Sequence, residues 1–191
     1  ENNPCRDAKL PKNKEEETTL KYLTPEQSIM FLRSLDMGFE TVVKGHKRVD
    51  DTGKPYNVPD YTEERELPLQ LKVFFTLSLY CGFRRGETLA LHWSDIDLEN
   101  KEIRIVKAVS KAEDGVTLKK PKTATSIRTV SFPDDVLPLL TRYKAEYTMY
   151  RLQLGTAWQG DKDGNLFIQC DGKLMGRTTP YQAYKRHLRR Y

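Results

Sequence analysis

The stretch Tyr80-Cys81-Gly82-Phe83-Arg84-Arg85-Gly86-Glu87-Thr88-Leu89-Ala90-Leu91, running on into His92-Trp93-Ser94-Asp95-Ile96-Asp97, decides how the rest of the chain is read. An apolar run from Leu69 to Tyr80 delivers the backbone to a glycine, two arginines follow, and a glutamate stands three residues beyond the first of them. That pattern predicts a buried helix ending at a charged turn, with a second helix beginning near Arg85. Arg84 and Glu87 then lie one turn apart, and the carboxylate can hold a guanidinium whose planar fork suits a phosphate. The positive end of the new helix adds to the attraction for an anion. The same residues would serve equally as a surface ion pair capping a helix junction.

Working outward, Leu69, Val73, Phe74, Leu77 and Tyr80 recur at helical intervals, and Phe75 and Leu79 widen the stripe. Residues 67–80 therefore read as a helix buried on most sides. Leu89, Leu91 and Trp93 continue the core, Trp93 as an aromatic anchor. Alternation in Glu102-Ile103-Arg104-Ile105-Val106-Lys107, with further candidates at 116–118 and 127–132, predicts a small antiparallel sheet. Lys119, Lys120 and Lys122 read as its basic tip, a shape and charge suited to a groove or a phosphate backbone.

Toward the N-terminus, residues 1–19 are polar, contain Pro4 and Pro11, and have the composition of a linker. Thr24-Pro25-Glu26-Gln27 is a helix start, with Thr24 as N-cap and Gln27 placed to reach back. Residues 38–66 read as a hairpin insertion around Asp51-Thr52-Gly53-Lys54; His46, with Lys44, Lys47 and Arg48 around it, either touches DNA or is a solvated loop. Toward the C-terminus, a long helix is predicted from Pro133 to about Gln153, a short strand at 165–168, and a last basic helix from Thr178 to Tyr191. The loop from Trp158 to Gly164 lacks the ligand spacing of a calcium site, so no metal is expected.

Composition sets the outer limits. A chain of 191 residues with 38% hydrophobic content can form one core and has little room for a second large domain. Its net charge of +5 favours an anionic partner without establishing one. Three cysteines without metal-ligand spacing argue for a reducing compartment rather than a disulfide framework. No apolar run approaches the roughly 18 residues a membrane span needs and no signal-peptide pattern opens the chain, so a cytoplasmic protein is expected.

"CGFRRGETLALHWSDIDLENKEIRI" resembles the first catalytic box of the tyrosine recombinases, the phage integrase family, in order, spacing and the strand that follows. The resemblance implies an α+β, mainly helical catalytic core with a small three-stranded antiparallel sheet. It makes Arg84 the first catalytic arginine, on the scissile DNA phosphate, and Glu87 the acid that steadies it, while Arg85 falls on a variable position. "KKPKTATSIRTVSFP" resembles the same family's Lys-Thr-x-x-Ser-x-Arg pattern, with Lys122 as catalytic lysine and Thr123, Ser126 and Arg128 on the flanking positions. Such a lysine donates a proton to the departing 5′ oxygen; read without the family, Lys122 is one of several lysines contacting phosphates. Lys119, Lys120 and Thr123 are expected to bind DNA.

The resemblance further implies double-stranded DNA and other recombinase protomers as partners, a tetrameric synapse, a bacterial or phage origin, and neither metal nor cofactor. Residues 1–19 become an interdomain linker and 20–191 part of a catalytic domain carrying the 38–66 insertion. His187-Leu188-Arg189-Arg190 matches the family's second box, His-x-x-Arg, in spacing. The order of elements instead places it on the preceding helix, so His187, Arg190 and Tyr191 are not expected to be catalytic and these 191 residues alone are not expected to cleave DNA. Two other readings stay open: a non-catalytic DNA-binding protein of the same fold, and a basic RNA-binding or protein-interaction domain.

Overall fold

In the computed structural model the described residues are 22–112, 115–119, 127–162 and 164–191, with backbone alone for 111–112, 115–117 and 119. Helix α1 (Pro25–Ser34) starts with the expected reciprocal cap: Gln27 N–H donates to Thr24 Oγ1 at 3.2 Å, and Thr24 N–H donates to Gln27 Oε1 at 2.9 Å. Four strands follow, β1 (Phe39–Val43), β2 (His46–Val49), β3 (Pro55–Val58) and β4 (Tyr61–Arg65). β1 pairs with β4 and β2 with β3, Val43 standing opposite Tyr61 and His46 opposite Val58. The two ladders keep one register, so they form a single long hairpin, interrupted where Asp60 accepts hydrogen bonds from Lys44 Nζ and Gly45 N–H, each at 2.8 Å. Its turn is closed by Asp50, whose Oδ1 accepts from Thr52 and Lys54 N–H, and by Gly53 at φ 86°. This is the hairpin expected within 38–66, exposed along most of its outer half.

The chain then enters α2 (Leu69–Cys81), whose Leu69, Leu71, Val73, Phe74, Phe75 and Leu77 are all buried. Near-continuous apolar character makes it the central core element rather than an amphipathic surface helix. Gly82 ends it at φ 62°, a left-handed conformation that a side chain resists. After α3 (Arg85–Leu89), a short 3-10 turn at Trp93–Asp95 leads into β5 (Ile96–Asp97) and β6 (Glu102–Ile105). Ile103 and Ile105 are buried while Glu102 and Arg104 face solvent, the alternation the sequence carries. Then come β7 (Ala108–Ala112), β8 (Gly115–Lys119), β9 (Arg128–Ser131), α4 (Val136–Leu154) and α5 (Thr179–Leu188).

The three-stranded antiparallel sheet runs β5-β6-β9, with Ile96 opposite Ile103 and Ile105 opposite Arg128. The expected third strand at 116–118 belongs elsewhere: β8 pairs only with β7, Ala112 opposite Gly115 and Ala108 opposite Lys119. Lys119, opposite Ala108, therefore stands at the end of this ladder away from the Ala112–Gly115 pair. Lys120, Lys122 and Thr123 lie outside the described residues. The expected strand at 165–168 is replaced by two isolated bridges, His92 to Asn165 and Ile168 to Leu174. Leu166 and Phe167 are instead fully buried plugs, and Leu166 N–H donates to the Leu91 carbonyl at 2.7 Å.

α4 packs across one side of α2, and Phe74 and Tyr143 both meet Phe167 between them. On the other side Phe31 of α1 stands edge-on to Phe75 of α2 and Tyr184 of α5. Each fully buried Leu or Val in this core contributes about 1.5–3 kcal/mol by leaving water. Among the described residues no helix is long and apolar enough to cross a membrane.

Candidate functional site

Where α2 stops, buried Phe83 anchors the turn and leaves Arg84 extended, at φ −67° and ψ 144°, as the N-cap of α3. One turn on, Glu87 swings its carboxylate back: Oε2 accepts the Arg84 backbone N–H at 3.0 Å and Oε1 accepts Arg84 Nη1 at 3.1 Å. The same carboxylate also takes both prongs of Arg128, from the first residue of β9, with Nη2 to Oε2 at 2.8 Å and Nη1 to Oε1 at 3.3 Å. Glu87 thus accepts four hydrogen bonds, and its side chain is only 8% exposed. The partners differ: the Arg84 side chain is 81% exposed and that of Arg128 33%.

A nearly buried carboxylate is stable only when paired and fully hydrogen-bonded. Hydrogen bonding from Arg128, supported by both donors of Arg84 and opposed by burial, holds the Glu87 carboxyl at about 2, so it stays ionised in neutral solution. Glu87 in return raises Arg128 further above its already high value. Two guanidiniums around one carboxylate leave one net positive charge, and the exposed member of the cluster is Arg84. Among the described residues Arg84 spends one side-chain nitrogen, on Glu87, which leaves the rest of its fork for an anion.

Backbone packing fixes this cluster. A side chain at Gly86 would come within 2.6 Å of the Val109 carbonyl oxygen, so α3 and β7 approach as closely as they do only because that position is glycine. Behind α3, Ser78 of α2 lies 3.4 Å from the Thr88 hydroxyl, which in turn donates to the Arg84 carbonyl at 3.3 Å.

Of the residues the sequence points to, Arg84 and Glu87 are brought together, and Lys119 is placed only through its backbone at the end of β8. Arg85 lies on the exposed side of α3. Arg128, which the sequence marks only as a flanking match, is the residue that joins them. No local pattern announces it, because its partner is 41 positions away.

His187 and Arg190 have other surroundings. His187 is 1% exposed, its Nε2 lies 2.7 Å from Ser34 Oγ, and its ring packs on Phe31 and Tyr191. Burial, aided by nearby Arg190, lowers its pKa and favours the neutral ring. Arg190 lies 3.5 Å over the Phe39 ring, and the single Tyr191 hydroxyl hydrogen is shared between the carbonyls of Met37 and Gly38, 3.2 and 3.1 Å away. Among the described residues no cluster of His, Cys, Asp or Glu is arranged to hold a metal ion.

Residues 55–191 match the phage integrase family. The chain is 32% identical to a XerC-like tyrosine recombinase of Caldanaerobacter subterraneus subsp. tengcongensis, the match covering 63% of this chain and 34% of that protein. It is 41% identical to the ICEBs1 integrase of Bacillus subtilis over 40% of this chain and 21% of that protein. The chain therefore spans about a third or less of the length of these relatives, 34% and 21%. Among solved structures, the Tn1549 transposon integrase in complex with transposon right end DNA aligns at a TM-score of 0.61 and 18% identity, over 93% of this chain and 47% of that one. XerA recombinase aligns at 0.52 and 14% identity, over 93% and 44%. At such identities the likeness is one of fold.

Proposed function

The chain belongs to the phage integrase family, and from that membership we propose that it supplies the phosphate-gripping part of a tyrosine recombinase's catalytic domain, acting on duplex DNA in site-specific strand exchange. The observation that carries this reading is the exposed Arg84 guanidinium, backed by a buried carboxylate that a second arginine already neutralises. When a tyrosine oxygen attacks the phosphorus, negative charge builds on the non-bridging oxygens. A preorganised cation at that place stabilises the transition state more than the ground state. The new P–O bond joins DNA to the tyrosine as the bond to the 5′ oxygen breaks, and Lys122 protonates the departing oxygen. A 5′ hydroxyl of a partner strand later attacks the phosphotyrosine and releases the enzyme, so the phosphodiester energy is kept and no nucleotide cofactor is consumed.

Lys122 follows Lys119 by three positions, a reach of at most about 11 Å along an extended chain. The described residues on either side stand near the Arg84 turn: β8, which ends at Lys119, pairs with β7, whose Val109 meets Gly86, and Arg128 bonds Glu87. That leash supports Lys122 as the proton donor, with Lys119, Lys120 and Thr123 on neighbouring phosphates and other protomers completing the synapse.

The test is Arg84→Ala in the recombinase that carries this chain, assayed on a suicide DNA substrate. Cleavage should fall by about 10²–10³-fold, the usual loss when one preorganised donor is removed. Unchanged cleavage would overturn the reading. The 191-residue chain by itself is expected to bind duplex DNA with an affinity that falls steeply with salt, and not to cleave it.

A further inference from the structure

We propose that Arg128 is a positioning residue of the phosphate site: by neutralising Glu87 it leaves the charge and the free fork of Arg84 available to the DNA. The inference rests on the reading of Arg84 given above and assigns a role to a residue that does not itself touch the substrate.

The geometry divides the labour between the two arginines. Arg128 commits both prongs to Glu87, at 2.8 and 3.3 Å, whereas Arg84 commits one side-chain nitrogen, at 3.1 Å. A bidentate arginine–carboxylate pair is the stronger and more directional bond. Arg128 is also the less exposed of the two, 33% against 81%, and less able to reach a solvent-borne phosphate. With Arg128 in place the three side chains carry one net positive charge, exposed on Arg84. Without it, Glu87 and Arg84 cancel. The carboxylate, 8% exposed, would then have one side-chain cation to turn to, and would hold the guanidinium for itself.

Position in the fold points the same way. Arg128 opens β9 opposite Ile105. Its bond to Glu87 therefore ties the start of β9 to the Arg84 turn. One side chain thus sets the charge of Arg84 and joins two parts of the chain that stand 41 positions apart in sequence.

The test is a charge cycle in the recombinase that carries this chain, read by single-turnover cleavage and, separately, by equilibrium binding to duplex DNA. Arg128→Gln should slow cleavage on the order of ten- to a hundredfold, as expected for disturbing one preorganised donor, while leaving binding within about twofold. Adding Glu87→Gln removes the charge that Arg128 had balanced, and the double variant should cleave faster than Arg128→Gln alone. Arg128→Lys keeps the balancing charge without the fork, guards against a failure of Arg128→Gln to fold, and should cleave faster than Arg128→Gln. A double variant no faster than Arg128→Gln, or Arg128→Lys as slow as Arg128→Gln, would overturn the proposal. A loss of binding that parallels the loss of cleavage would also overturn it, since it would make Arg128 a DNA contact. If Arg84→Ala leaves cleavage unchanged, the phosphate reading itself fails, an outcome separate from any result at Arg128.

Discussion

The turn at Arg84 and the helix end at His187 use the same kinds of residue to opposite ends. At the turn, a buried carboxylate is saturated by two arginines, and the surplus charge stands in solvent on Arg84. At the helix end, the histidine is buried against Ser34 and Phe31, and Arg190 lies flat on the Phe39 ring. In the first region packing frees a cation. In the second, packing consumes one. A His-x-x-Arg spacing therefore says little until the partners of each side chain are known.

The largest expected effect on the fold comes from closing the space that keeps the first region assembled. Gly86→Ala places a methyl within 2.6 Å of the Val109 carbonyl, backbone that cannot swing aside. Overpacking of this kind costs about 1–3 kcal/mol, so both the melting temperature and cleavage should fall. Retention of both would mean that α3 and β7 are not tightly docked.

Most of the first region is legible in the sequence because its signals are short-range. Apolar spacing marks α2, Gly82 marks its end, and the three-residue step from Arg84 to Glu87 is one helical turn. The cap of α1 and the alternation in β6 are read in the same way. What escapes is tertiary. Arg128 meets Glu87 only because β9 returns beside β6, and β8 takes β7 as its partner rather than a strand of the three-stranded sheet. The run at 165–168 is apolar because it plugs the core, which an alternation rule reads as a strand.

The second region is sharpened by His187→Leu. It removes the hydrogen bond to Ser34, whose hydroxyl keeps the Phe31 carbonyl at 2.7 Å, and should destabilise the fold by about 0.5–1.5 kcal/mol. The folded recombinase should then cleave at its normal rate. A fall in cleavage with stability intact would give His187 a chemical role and erase the contrast.

Acid separates the two regions. The pKa of His187 is lower in the folded protein than its ordinary 6.5, so protons favour the unfolded chain and its contribution is lost as pH falls below 6.5. Glu87 is held at about 2 against an ordinary 4.5, so its contribution is full above 4.5 and disappears between 4.5 and 2. Equilibrium unfolding across pH should lose the upper step in His187→Leu and the lower step in Glu87→Gln. If either variant removes the other's step, the two regions are coupled.

A comparably small effect belongs to Arg190. Lifting it from Phe39 by Arg190→Ala should cost about 0.5–2 kcal/mol, the range of cation–aromatic contacts, readable as a small shift in denaturant midpoint.

The same Arg190→Ala, run beside Arg84→Ala in the recombinase that carries this chain and read in one single-turnover cleavage assay on a suicide DNA substrate, tests the central claim most directly. Arg84→Ala should lose about 10²–10³-fold in rate, and Arg190→Ala should stay within about threefold of the unaltered protein. Equal losses at the two arginines, or the greater loss at Arg190, would contradict the account.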